Sequence, residues 1–147
     1  MNPAAIGRPM EILLIEDNLG DARLTYEALR EGHFKHRLTL ISDGAEAADF
    51  VFRRKQYAQA PRPDLILLDL NLPRLSGAEL LAEIRENEEL SRIPIVVLTV
   101  SNSHEAILRE QKLAVEGYLT KPVDLDQFLT LVKQLRRYWQ EDLIMPA

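Results

Sequence analysis

The sequence predicts one α/β domain, with five parallel strands in a single doubly wound sheet and helices on both faces. Three observations predict it. Short apolar runs alternate with amphipathic stretches from Glu11 almost to the end of the chain, the pattern of repeated strand–helix units. Four of the runs are apolar throughout, as strands covered on both faces must be. The runs also end alike. Ile12-Leu13-Leu14-Ile15 leads into Glu16-Asp17-Asn18, and Leu65-Ile66-Leu67-Leu68 into Asp69. Ile95-Val96-Val97-Leu98 leads into Thr99, and Gly117-Tyr118-Leu119-Thr120 into Lys121-Pro122. Strand tips of a parallel sheet share one edge, so these acids, hydroxyl and amine should converge there.

In chain order, strands are expected at Glu11–Ile15, Arg37–Ile41, Leu65–Asp69, Ile95–Thr99 and Gly117–Thr120. Arg37–Ile41 alternates polar with apolar residues and suits a sheet edge. Helices are expected at about Asp21–Glu31, Ala45–Lys55, Gly77–Glu86, His104–Leu113 and Leu125–Gln140. Four of their starts carry a capping box or a near form of it: Asp43-x-x-Glu46, Ser76-x-x-Glu79, Asn102-x-x-Glu105 and Asp124-x-x-Gln127. Phe128, Leu131, Val132 and Leu135 recur at helical spacing and give the last helix one buried stripe. Gln56–Pro63, with two prolines, is a loop. Right-handed connections and the flavodoxin-like strand order 2-1-3-4-5 place the first and third strands side by side. Glu16 and Asp17 then lie next to Asp69.

Composition narrows the function classes. A domain of 147 residues buries about 68–70% of its unfolded surface, so a core is available without metal or disulfide staples. There are no cysteines, which excludes thiol catalysis and fits a reducing cytoplasm. Charges interrupt every apolar run before it reaches the length of a membrane span. Residues 1–9 read as a flexible lead without the apolar centre of a signal peptide. The net charge of −5 and the scattered basic residues give no nucleic-acid footprint. His33, His36 and His104 have no metal-ligand spacing with other donors and read as solvated surface residues.

Three carboxylates crowded at one edge repel, and an empty site would drive one of them toward protonation. A hard divalent cation removes the conflict. Mg2+ takes oxygen ligands and keeps several waters, so one or two carboxylates and a phosphoryl oxygen suit it. A carboxylate is also a nucleophile toward phosphorus. Phosphoryl transfer needs charge neutralisation above all, for which Lys121 offers an ammonium and Thr99 a hydroxyl. The set is complete for accepting a phosphoryl group and contains no evident base to hydrolyse it quickly. As simple alternatives, the acids are solvated loop residues, Lys121 a helix-flanking charge, Thr99 a strand-ending β-former and Tyr118 ordinary packing.

In order along the chain stand Ile15-Glu16-Asp17-Asn18, Leu68-Asp69-Leu70-Asn71-Leu72-Pro73, Leu98-Thr99 and Tyr118-Leu119-Thr120-Lys121-Pro122. With these motifs the chain resembles a response-regulator receiver domain of two-component signalling, over about residues 10–138. The resemblance implies that Asp69 is the phosphoacceptor. It implies that Asp17, Asp69 and the Asn71 carbonyl hold Mg2+, with Glu16 acting through a bound water. Thr99 and Lys121 would contact the phosphoryl group, and Tyr118 would be the aromatic switch residue. Receivers usually carry a small residue where Val100 stands. Its branched side chain, with Ser101, bears on phosphoryl access and lifetime.

Tyr138-Trp139 followed by Leu143-Ile144-Met145-Pro146 resembles the ending of response regulators that partner bacterial and cyanobacterial phytochrome kinases. So do Leu98-Thr99-Val100-Ser101-Asn102 and the Gln56–Pro63 loop. Residues 139–147 form an apolar tail that either caps its own subunit or crosses to a second copy; a homodimer is the expectation. The expected partners are a sensor histidine kinase, a bacteriophytochrome in this reading, and an unidentified downstream protein. Output is expected through protein association or onward phosphotransfer. Three rivals remain. An aspartyl-phosphate hydrolase should carry a second acid two residues after its nucleophile, where Asn71 stands. A flavin carrier needs a phosphate cradle in its first loop, where Glu16 and Asp17 would repel the ligand. A docking module with a receiver fold and no phosphorylation is the third.

Overall fold

Three largely apolar strands make the centre of the sheet. They are β1 (Met10–Ile15), β3 (Leu65–Asp69) and β4 (Ile95–Thr99), and they are buried along nearly their whole length. β2 (His36–Ile41) and β5 (Gly117–Thr120) complete a parallel sheet of order β2-β1-β3-β4-β5. The expected order and the edge position of the alternating strand are both found. The computed structural model describes residues 8–32, 34–100 and 115–139. The expected helix at His104–Leu113 lies outside them, as do His33, His104 and the cap at Asn102.

Strand alternation sorts the core into two halves. Ile12, Leu14, Leu65, Leu67, Val96, Leu98 and Leu119 face one side. There they meet Ala22 and Leu29 of α1 (Leu19–Glu31) and Phe128 and Val132 of α4 (Leu125–Gln134). Leu13, Ile15, Ile66, Leu68, Ile95 and Val97 face the other side. They pack on α2 (Gly44–Val51) and α3 (Gly77–Glu86) through Ala47, Val51, Leu80 and Ile84. Among the described residues no helix is long and apolar enough to cross a membrane.

The helix starts follow the expected chemistry. Asp43, Ser76 and Asp124 accept the backbone N–H of Glu46, Glu79 and Gln127 respectively, and Asn18 does the same for Asp21. Two ends fall short of expectation. α2 stops at Val51 rather than Lys55 because the chain closes a Schellman turn. Arg54 N donates to Asp49 O at 2.8 Å and Arg53 N to Phe50 O at 3.2 Å, with Arg53 at φ 54°. The last helix stops at Gln134 rather than Gln140. A 3-10 turn over Arg136–Tyr138 follows, and Trp139 is extended. His36 is half-buried and stacks on Phe34 with ring centroids 4.7 Å apart, rather than standing free in solvent.

Close backbone approach fixes the site's floor. A Cβ on Gly77 would lie 2.5 Å from Leu70 Cα and 2.6 Å from Asp69 O, so only glycine lets α3 start against the tip of β3. On the neighbouring loop, Arg74 Nε donates to Asp43, which also caps α2. Burial works against the Asp43 carboxylate, but the Glu46 amide and the Arg74 guanidinium outweigh it and hold the group below the usual carboxylate range. Its contribution is therefore complete above the unfolded carboxylate pKa and fades as the pH falls through the lower folded value. Asp43→Ala should cost about 1 kcal/mol at neutral pH, as a lost N-cap does. Urea unfolding of the two proteins should show that gap closing as the pH falls below the carboxylate range.

Candidate functional site

Register brings the charged residues together. β1 pairs Ile15 with Leu68 of β3, so one step further puts Glu16 beside Asp69. β4 pairs Thr99 with Thr120 of β5, so Lys121 follows at the same edge. Lys121 Nζ lies 2.6 Å from Glu16 Oε1, 2.7 Å from Asp69 Oδ2 and 3.2 Å from Asp21 Oδ2. Asp69 Oδ1 accepts the Asn71 N–H at 2.9 Å, and Glu16 Oε2 accepts that of Asn18 at 3.3 Å. Lys121 N donates to Thr99 O at 2.9 Å, which ties the tip of β4 to the lysine. The Lys121–Pro122 bond is cis.

The acids are not equivalent. Glu16 has no exposed surface, Asp69 is buried, and Asp17 is exposed. Burial pushes Glu16 up to about 7, helped by the hydrogen bond and charge of Asp69, while Lys121 pulls the other way. For Asp69 burial is outweighed by hydrogen bonds with Glu16, Lys121 and the Asn71 amide, which hold it below the usual range. Lys121 is raised above the ordinary lysine range because Asp69 and Glu16 outweigh its burial. One ammonium thus holds two buried carboxyl groups that would otherwise repel.

The site suits a divalent cation. Glu16, Asp17 and Asp69 each offer a carboxylate oxygen, all within 4.8 Å of one another. Glu16 Oε1 is buried and accepts no hydrogen bond of normal geometry, so the lysine contact answers its charge without saturating it. An all-oxygen donor set with an undersatisfied buried oxygen fits a hard cation.

The remaining expected residues divide. Thr99 is buried at the end of β4. By alternation it shares the α2/α3 side with Tyr118, which is half-buried there and paired in register with Val97. Asn71 is exposed, and Val100 is 69% exposed. Tyr138 is exposed. Trp139 packs on its own core and donates its indole N–H to Asp64 O at 2.6 Å. Ser101, Leu143, Ile144 and Met145 lie outside the described residues. Asp21 joins the site in the structure without having been expected there. An acid four residues after Asp17, in the first turn of a capped helix, was the available signal.

A parallel sheet of this order with acids at the tips of β1 and β3 and a lysine after β5 defines a signal-receiver domain. The model for the response regulator receiver domain matches residues 12–133, and the chain belongs to that family. It is 42% identical over 139 residues to response regulator Rcp1 of Synechocystis sp. strain PCC 6803, covering 95% of each chain. The crystal structure of the Mn(2+)-bound form of Rcp1 superposes with a TM-score of 0.72, over 95% of this chain and all (100%) of that one. The bacteriophytochrome response regulator RtBRR is 34% identical, with a TM-score of 0.81 over 90% of this chain and 81% of that one. The phosphorylated cyanobacterial phytochrome response regulator RcpA is 41% identical, with a TM-score of 0.73 over 95% of this chain and 99% of that one.

The lysine contacts make a stability prediction. In EDTA at neutral pH, Lys121→Met should destabilise the protein by about 3 kcal/mol, since it strands buried acids, and Glu16→Gln by less than about 1 kcal/mol. Urea melts of both variants would decide it. Equal, small losses would mean that Lys121 does not compensate the acids.

Proposed function

We propose that this chain is a response regulator that accepts a phosphoryl group on Asp69 from a phosphohistidine of a sensor histidine kinase. The observation that carries this reading is the buried 2.7 Å contact of Asp69 with Lys121, beside two further acids at one sheet edge. An Asp69 carboxylate oxygen attacks phosphorus. The phosphorus–nitrogen bond of the donor breaks, its electron pair stays on the imidazole, and an acyl phosphate remains on Asp69. Asp17, Asp69 and the Asn71 carbonyl would hold Mg2+, with Glu16 acting through water. When bound, Mg2+ supplies charge neutralisation at the phosphoryl oxygens. Lys121 and Thr99 bind those oxygens from the protein side.

Once Asp69 is phosphorylated, Thr99 is drawn toward the new charge and Tyr118, on the same side of the sheet, repacks inward. That shift alters the surface around β5 and α4 and with it protein association. Val100 and Ser101 govern access to the acyl phosphate. The names of the relatives support a phytochrome-class kinase as the donor, and hence light as the signal. The apolar residues Leu143, Ile144 and Met145, after the Tyr138-Trp139 pair, support a homodimer arm. A downstream protein partner completes the pathway.

Intact mass after incubation with Mg2+ and acetyl phosphate tests the reading. One phosphoryl increment is expected, absent in EDTA and absent in Asp69→Asn. An unmodified wild type of intact fold, or a modified Asp69→Asn, would count against Asp69 as the acceptor.

A further inference from the structure

Lys121 contacts three acids, and the proposed phosphoryl transfer uses only Glu16 and Asp69 of them. The contacts are graded: 2.6 Å to Glu16, 2.7 Å to Asp69 and 3.2 Å to Asp21. Burial is graded in the same order, since the three acid side chains are 0%, 7% and 35% exposed. The ammonium therefore sits at the inner end of a short path of carboxylates that leads toward solvent.

The inner end of that path is also where the divalent cation of the proposed function would bind. An ammonium and a metal ion of like charge repel strongly at such separations in a poorly hydrated site. Lys121 must then loosen its hold on Glu16 and Asp69. Its four-carbon stem permits the movement, but its side chain is only 10% exposed, so water alone is a poor replacement for the lost anions. Asp21 already lies within contact. It is also held in place: its N–H is bonded to Asn18 Oδ1 at 2.9 Å, and it stands in the first turn of α1, where the helix dipole favours an acid.

We infer that Asp21 is a positioning residue that takes up Lys121 when a divalent cation occupies the inner acids. The lysine then moves outward by a small step without losing its counter-charge and remains beside Asp69 to meet the phosphoryl group. Losing the Asp21 carboxylate leaves the lysine held only by Glu16 and Asp69, where it competes with the metal. The ordinary alternative is that Asp21 is a first-turn acid whose charge merely adds to the field.

A double-mutant cycle separates the two, and it rests on the proposed metal site. Mg2+ affinity is measured by calorimetry on wild type, Asp21→Asn, Lys121→Met and the double variant, with Lys121→Gln as a second background in case Lys121→Met folds poorly. With Lys121 present, Asp21→Asn should weaken Mg2+ binding about three- to fivefold, the size of a partly exposed ion-pair contribution. Without Lys121 most of that effect should vanish, and Asp21→Glu, which keeps the carboxylate, should restore affinity. An equal loss in both backgrounds, or none in either, overturns the assignment while leaving the acceptor reading intact. A wild type that binds no Mg2+ overturns both.

Discussion

Two carboxyl groups buried side by side need a cation, and the rest of the site is arranged around that need. Glu16 is fully enclosed and Asp69 nearly so, each removed from the water that would stabilise its charge. Lys121 reaches both from the tip of β5, two strands along the sheet from β3. The pairing does not saturate the acids. Glu16 remains shifted toward its protonated form, and its Oε1 accepts no well-formed hydrogen bond. A site in this condition is poised for a divalent cation, because the cation relieves a conflict that the lysine only reduces.

The fold makes that conflict sustainable. The central strands are buried on both faces, so their tips cannot drift apart without exposing the core. Parallel pairing across five strands fixes the order in which the tips meet, and the register sets Glu16 beside Asp69 and Lys121 after Thr120. Gly77 lets α3 begin hard against Asp69, and Asp43 ties the neighbouring loop through Arg74. Alternation then separates two tasks: the charged set lies toward α1 and α4, and Tyr118 lies with the core on the α2/α3 side.

Much of this is legible in the sequence, because strand tips are marked by where an apolar run stops. Glu16, Asp69, Thr99 and Lys121 each follow directly on such a run, and the strand order then dictates that they meet. Helix ends are less legible. Arg53 adopts a left-handed turn that glycine would have advertised, so α2 ends four residues before the expected Lys55. The last helix ends early, and Trp139 beyond it is held to Asp64 by a contact that no local pattern encodes. Asp21 carries only a faint signal, for another reason. Its role depends on the reach of a lysine from another strand, and in sequence it is one more acid in a helix's first turn.

Lys121 is the counter-charge of Glu16 and Asp69, and a divalent cation at the site would loosen its hold on them. The Lys121 ammonium resonance, assigned by its loss in Lys121→Arg, can be followed by nitrogen-15 NMR during a Mg2+ titration. A signal that exchanges slowly in EDTA and moves as Mg2+ saturates the site is expected. A signal that exchanges freely in EDTA, or one that stays unmoved while Mg2+ binds, would contradict this role of Lys121.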